Sequence, residues 1–221
     1  MLEILYGGSF DPVHEGHLAV ARHARDSVAA PVRLMPAADP PHKGPLHADA
    51  AQRVAMLELA IDGEAGLGIE GCELDRDGPS YTVDTLRFLR AHRVGARPLA
   101  ILLGADSFLG LPTWKEWRSL FELAHILIAD RGGSSFGPAL PEPLARAVAG
   151  RWASDAAELH QAASGLLWPL DQPLRPESAS EVRRRIAAGL GWRPLLPVKV
   201  ARYIEERGLY GVNRAATGAS L

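Results

Sequence analysis

Apolar positions along the chain alternate between two periods. Short aliphatic runs recur at residues 2–6, 32–36, 67–74, 98–103, 125–129 and 166–170, each closed by glycine, proline or polar residues, and their length predicts strands. Between them apolar residues stand three and four apart, which predicts helices. These cover 16–29 (Leu18, Ala21), 48–61 (Val54, Leu57, Ile61), a helix capped by Thr82 (Val83, Leu86, Leu89), 113–123, 178–188 and 197–207. Ser178 and Glu181 are spaced as a capping box. The run at 98–103 is aliphatic throughout and suits a strand covered on both faces. Residues 37–45 are too rich in proline for regular structure, and 132–165 predict one or two surface helices.

Regular alternation of strand and helix implies right-handed crossovers. The expected fold is α/β: a Rossmann-like, doubly wound, mostly parallel sheet with helices on both faces and a small helical part at the C-terminal end. A single domain is expected over 1–211, with a disordered tail of small and polar residues at 212–221. In such sheets ligands bind beyond the carboxyl ends of the strands, where the strand order reverses. The first strand ends at Gly7-Gly8 and the aliphatic run at Gly104-Ala105-Asp106. If those strands are neighbours, their loops face each other across one crevice.

Composition narrows the function. The 221 residues are 47% hydrophobic and 23% charged, enough apolar material for one sizeable core. A net charge of -2 argues against general affinity for nucleic acid or for an anionic membrane. The single cysteine, Cys72, excludes an internal disulfide and fits a reducing compartment. The opening strand carries Glu3, so no signal peptide is expected, and no run is long enough to span a membrane. A cytoplasmic protein is the expectation.

The chemistry gathers at Gly7-Gly8-Ser9-Phe10-Asp11-Pro12-Val13-His14-Glu15-Gly16-His17. A strand, a glycine-rich turn and a helix start form an anion site, because the first helical amides lack partners and the helix dipole is positive there. His14 and His17, three apart, share a face. No Gly-Lys-Ser/Thr follows, and the dinucleotide G-x-G-x-x-G pattern is missing. A two-histidine metal site would want a third ligand and a spacing of four, so no protein-held metal is expected.

The stretch resembles the signature of the H-x-G-H nucleotidyltransferases. With Pro40-Pro41-His42-Lys43, Pro79-Ser80-Tyr81-Thr82, Gly104-Ala105-Asp106-Ser107, Pro112-Thr113-Trp114 and Ser178-Ala179-Ser180-Glu181-Val182-Arg183, it is similar to the bacterial nicotinate mononucleotide adenylyltransferases over residues 2–210. The resemblance implies adenylyl transfer from ATP to nicotinate mononucleotide, giving deamido-NAD and pyrophosphate, with Mg²⁺ carried on ATP. It implies His14, His17 and Arg183 as catalytic residues. Gly7, Gly8, Ser9, Phe10, His17, Gly104, Asp106, Arg131, Ser180 and Arg183 would bind ATP. His42, Lys43, Tyr81, Thr82 and Trp114 would bind the mononucleotide. Asp106 reads equally as a helix N-cap, Arg183 as one of three solvated arginines, and Lys43 as a solvated loop lysine. The chain departs from the family pattern at Ser9, at Pro176-Glu177 and at Lys115. Alternatives are transfer to nicotinamide mononucleotide or phosphopantetheine, and a non-catalytic nucleotide-binding module. The expected partners are small molecules, with neither nucleic acid nor membrane; a homo-oligomer is left open.

Overall fold

A computed structural model describes residues 1–38, 46–76, 78–129, 140–171 and 177–212. Six strands form one sheet: β1 (Glu3–Gly8), β2 (Val32–Pro36), β3 (Leu67–Ile69), β4 (Leu99–Gly104), β5 (His125–Ala129) and β6 (Leu167–Leu170). Every pairing is parallel, in the order β3-β2-β1-β4-β5-β6. The chain winds outward from β1 to β3, crosses back and winds the other way from β4. The reversal therefore lies between β1 and β4, whose register pairs Tyr6 with Leu102.

Strand alternation divides the core. Leu5, Ile101, Leu103, Ile126 and Ile128 pack on one face with α3 (Thr82–Leu89), α5 (Leu120–Leu123) and α6 (Glu142–Val148). Ile4, Val32, Ala100, Leu102 and Leu127 face the other way, onto Ala21, Ala24 and Val28 of α1 (Glu15–Val28). A further cluster joins Phe10, Leu18 and Leu34 to α2 (Ala50–Ile61), α8 (Ala179–Ala187) and α9 (Val198–Arg207), the expected C-terminal helices. The helices α4 (Ala105–Leu109) and α7 (Glu158–Gln161) complete the set. No helix among the described residues is long and apolar enough to cross a membrane.

Local expectations failed at four places. The strand expected over 67–74 stops at Ile69, where polar Glu70 and Gly71 interrupt the run. The helix expected over 113–123 is broken into 3₁₀ turns and the short α5, because Glu116 takes a left-handed φ of 45°. The N-cap of α3 is Tyr81, with Thr82 as its first helical residue and no side chain capping it. Only half of the capping box at α8 forms: Ser178 Oγ accepts from the Glu181 amide at 3.2 Å, while the Glu181 carboxylate is taken by Arg184 and Arg185. The expected tail falls on residues outside the description, save Val212.

Candidate active site

Strand β1 delivers the glycine-rich turn to the carboxyl edge of the sheet at the reversal point. A Cβ on Gly8 would sit 3.0–3.2 Å from the Phe10 ring, so the glycine lets the turn fold back tightly. Phe10 has a φ of 47° and is fully buried, its ring edge-on to Tyr6 at 5.7 Å and to His17 at 5.0 Å. Only its backbone is left to meet a nucleotide. Buried Arg53 reaches the carbonyls of Ser9 (3.0 Å) and Ala37 (2.8 Å), tying the ends of the β1 and β2 loops together.

The two histidines cap α1 reciprocally. His14, the N-cap residue, accepts the His17 amide on Nδ1 at 3.3 Å, and His17 Nδ1 accepts the His14 amide at the same distance. Their rings stack with centroids 3.7 Å apart and planes 28° from parallel. With both Nδ1 atoms accepting, a neutral ring carries its proton on Nε2, so each ring has one defined donor edge. His14 is 5% exposed and His17 half-buried. Gly16 makes the stack possible: a Cβ there would lie 3.0 Å from His14 Nδ1 and 3.4 Å from the Glu177 Cβ.

Asp11 anchors the loop between the glycines and the histidines. Its buried carboxylate accepts the amides of His47 (2.8 Å) and Ala48 (3.1 Å) and the hydroxyl of Tyr210 (2.8 Å). Burial alone would raise this carboxyl; the His47 amide, the Tyr210 hydroxyl, the Ala48 amide and the Arg183 charge outweigh it and hold the group below its ordinary range. The Asp11 carbonyl accepts from Arg183 at 2.5 Å, and the same guanidinium reaches Ser180 Oγ at 3.3 Å. Arg183 is thus set apart from its neighbours. Arg184 and Arg185 converge on Glu181 and hold its carboxyl down at about 2, whereas Arg183, in the first turns of α8, turns to the β1 loop.

A cavity of about 270 Å³ opens beside this loop. Gly7, Gly8 and Ser9 form one wall, Ser80 to Val83 another, and Ser107, Trp114 and Lys115 a third. Its floor includes Leu5, Met35 and β4 residues Ile101 to Leu103. Trp114 is half-buried, with Trp117 behind it in the core at 7% exposure. Lys115 lies over the Tyr81 ring at 4.8 Å and pairs with Asp84 at 2.8 Å. Gly104, not Asp106, is the N-cap of α4; Asp106 stands exposed in its first turn, next to the reversal point. His42, Lys43 and Arg131 lie outside the described residues. No cluster of three or more His, Cys, Asp or Glu among the described residues is placed to hold a metal ion.

Sequence reasoning missed four polar cavity residues, among them Ser107, which stood only inside a motif. Ser80 was read only as part of a motif, and Lys115 only as a departure from one. Glu73, which also lines the cavity, is buried at 5% exposure. One signal was available for it, an acidic residue inside the apolar run at 67–74.

Comparison with known proteins adds the family and the fold. Residues 5–185 match the cytidylyltransferase-like family. The chain is 53% identical over 214 residues to a "Probable nicotinate-nucleotide adenylyltransferase" of Stenotrophomonas maltophilia, covering 95% of this chain and 96% of the relative. A protein of the same name from Xylella fastidiosa strain M12 is 44% identical, with 96% and 97% covered. Among solved structures, Plasmodium falciparum nicotinic acid mononucleotide adenylyltransferase complexed with NaAD superposes with a TM-score of 0.72 at 17% identity, over 96% of this chain and 98% of that one, a likeness of fold. With near-complete coverage and such identity to the bacterial relatives, the chain belongs to the nicotinate-nucleotide adenylyltransferases, within the cytidylyltransferase-like family.

Proposed function

We propose that this protein transfers the adenylyl group of ATP to nicotinate mononucleotide, giving deamido-NAD and pyrophosphate in the synthesis of NAD. The observation that carries the reading is the stacked His14–His17 pair at the start of α1, on the same β1–α1 connection whose Asp11 carbonyl holds Arg183 and whose glycines line a cavity with Tyr81, Thr82 and Trp114. The mononucleotide phosphate attacks the α-phosphorus of ATP in line. A P–O bond forms to the incoming oxygen, the bridge to the β-phosphate breaks, and pyrophosphate leaves with the electron pair. A phosphate dianion is already a nucleophile, so the protein needs no general base, and its work is positioning and charge stabilisation.

Each residue then has a role. The Nε2 protons of His14 and His17 meet the α-phosphate oxygens, where charge redistributes in the transition state. Gly7, Gly8, Ser9 and the Phe10 backbone lie along the adenylyl group. Gly104 and Asp106 face the ribose, whose hydroxyls a carboxylate can accept. Ser180 and Arg183 hold the β- and γ-phosphates at the start of α8. The Trp114 indole and the Tyr81 ring flank the pyridine, and first-turn amides of α3, uncapped by any side chain, receive its carboxylate. Lys43 with His42 holds the mononucleotide phosphate, and Arg131 stands on the adenine side. Mg²⁺ arrives with ATP, held by phosphates and water. The protein works in the cytoplasm as a single domain over 1–211 on small-molecule substrates, without nucleic acid.

Pyrophosphate release from ATP tests the reading, with nicotinate or nicotinamide mononucleotide as acceptor. The expected result is turnover with a higher kcat/KM for the nicotinate form. Equal values would remove the role given to α3, and no release with either would remove the reaction.

A further inference from the structure

The wall of the cavity at residues 80–82 is held from behind by a hydrogen-bond relay ending on one carboxylate. Thr85 Oγ1 on α3 donates to Glu73 Oε1 at 2.7 Å and accepts from the Arg76 guanidinium at 2.7 Å. Ser80 accepts the Ala38 amide on its hydroxyl at 3.1 Å, and with Thr85 it counters the burial that raises the Glu73 carboxyl above its ordinary range. Each hydroxyl has one proton. The Thr85 hydroxyl faces the Glu73 carboxylate at 2.7 Å and the Tyr81 carbonyl at 3.3 Å, and Ser80 lines the cavity itself. A carboxylate accepts at both oxygens and so can satisfy both hydroxyls together.

We propose that Glu73 is a positioning residue for the mononucleotide side of the site: it takes the protons of Ser80 and Thr85 and so fixes the start of α3 where the pyridine ring binds. The assignment rests on the reading of the cavity given above. Glu73 joins three segments, the turn after β3, the loop after β2 through Ala38, and α3, so its loss lets the α3 wall shift relative to the β1 loop. Arg183 belongs to a separate network through Asp11, and the two histidines to their own reciprocal cap, so both are untouched. Substrate binding should therefore split. The mononucleotide loses affinity in ground state and transition state alike, which raises its KM, while the ATP side is unchanged.

The test is steady-state kinetics of pyrophosphate release, with both substrates varied, for wild type, Glu73→Gln and Glu73→Ala, together with melting temperatures. Removing a charge-assisted buried acceptor predicts a KM for nicotinate mononucleotide raised about tenfold or more in Glu73→Ala. Glu73→Gln, which keeps one acceptor oxygen, falls between that and wild type. The KM for ATP and kcat at saturation stay within about twofold of wild type. Parallel rises in both KM values, or a wild-type KM in Glu73→Ala, overturn the inference. Should Glu73→Ala not fold, Glu73→Gln and Thr85→Val carry the same test with the same two outcomes. Wild-type protein inactive with nicotinate mononucleotide would instead overturn the reading of the cavity, a result read before any variant is made.

Discussion

His14 and His17 use their two ring nitrogens for different purposes. Each Nδ1 is spent on the backbone of the helix start, and that commitment keeps the proton on Nε2, the edge assigned to phosphate. His17→Ala should therefore lose a transition-state donor and one arm of the cap together. We expect kcat to fall by about 10²–10³, with a smaller change in the KM for ATP. The cap contributes about 1 kcal/mol to stability, so the variant's urea midpoint should drop modestly as well. An unchanged kcat would remove the pair from the chemistry. The spacing of the histidines was legible in the sequence, and so was their place at a strand–helix junction. Their mutual capping was not, because N-cap preferences point to Ser, Thr, Asp and Asn and give imidazole no weight. Phe10 shows the opposite limit. Its neighbours in the motif put its backbone at the site, but nothing in the pattern reveals that its ring lies beneath His17.

Among the elements, strands were easier to read than helices. Five of the six aliphatic runs became strands within about one residue at most ends, because a strand covered on both faces leaves an uninterrupted apolar signature. The segment 113–123 failed because its periodicity comes from Trp117, Leu120 and Phe121, which reach the core from a chain that turns at Glu116. Strand β5 holds a titratable group that its apolar pattern hides. His125 is fully buried, its Nε2 donating to the Ala162 carbonyl at 2.9 Å and its Nδ1 accepting the Leu166 amide at 3.1 Å. Burial, aided by the nearby Arg90 charge, holds its pKa below the ordinary value against the pull of the Ala162 carbonyl. Since the folded state disfavours the charged ring, its contribution is intact above the unfolded pKa of about 6.5 and is lost as pH falls through that region. Protonation would also set an N–H against the Leu166 amide, a mismatch that costs about 1–3 kcal/mol. Denaturant midpoints measured from pH 7.5 to 5.5 should fall in wild type and fall less in His125→Gln. Parallel curves would exclude this group as the source.

For the molecule as a whole, the sheet order makes β1 and β4 neighbours, the condition on which the facing of their loops depended and which the alternation of elements had left open. What no local pattern could show is contact across long stretches of chain. Tyr210 donates to Asp11 over a separation of 199 residues, and Arg183 grips the Asp11 carbonyl over 172. Tyr210→Phe removes one donor from a buried carboxylate, so we expect a loss of about 1–3 kcal/mol in unfolding free energy. Because the same Asp11 positions Arg183, the KM for ATP should rise severalfold while that for the mononucleotide holds. A stability loss with both KM values unchanged would make the contact purely a brace. The Asp11–Tyr210 bond also sets an order on biosynthesis. The glycine loop leaves the ribosome well before the tyrosine that completes its anchor, so a nascent chain carries that loop unanchored while the 199 residues that separate them are made.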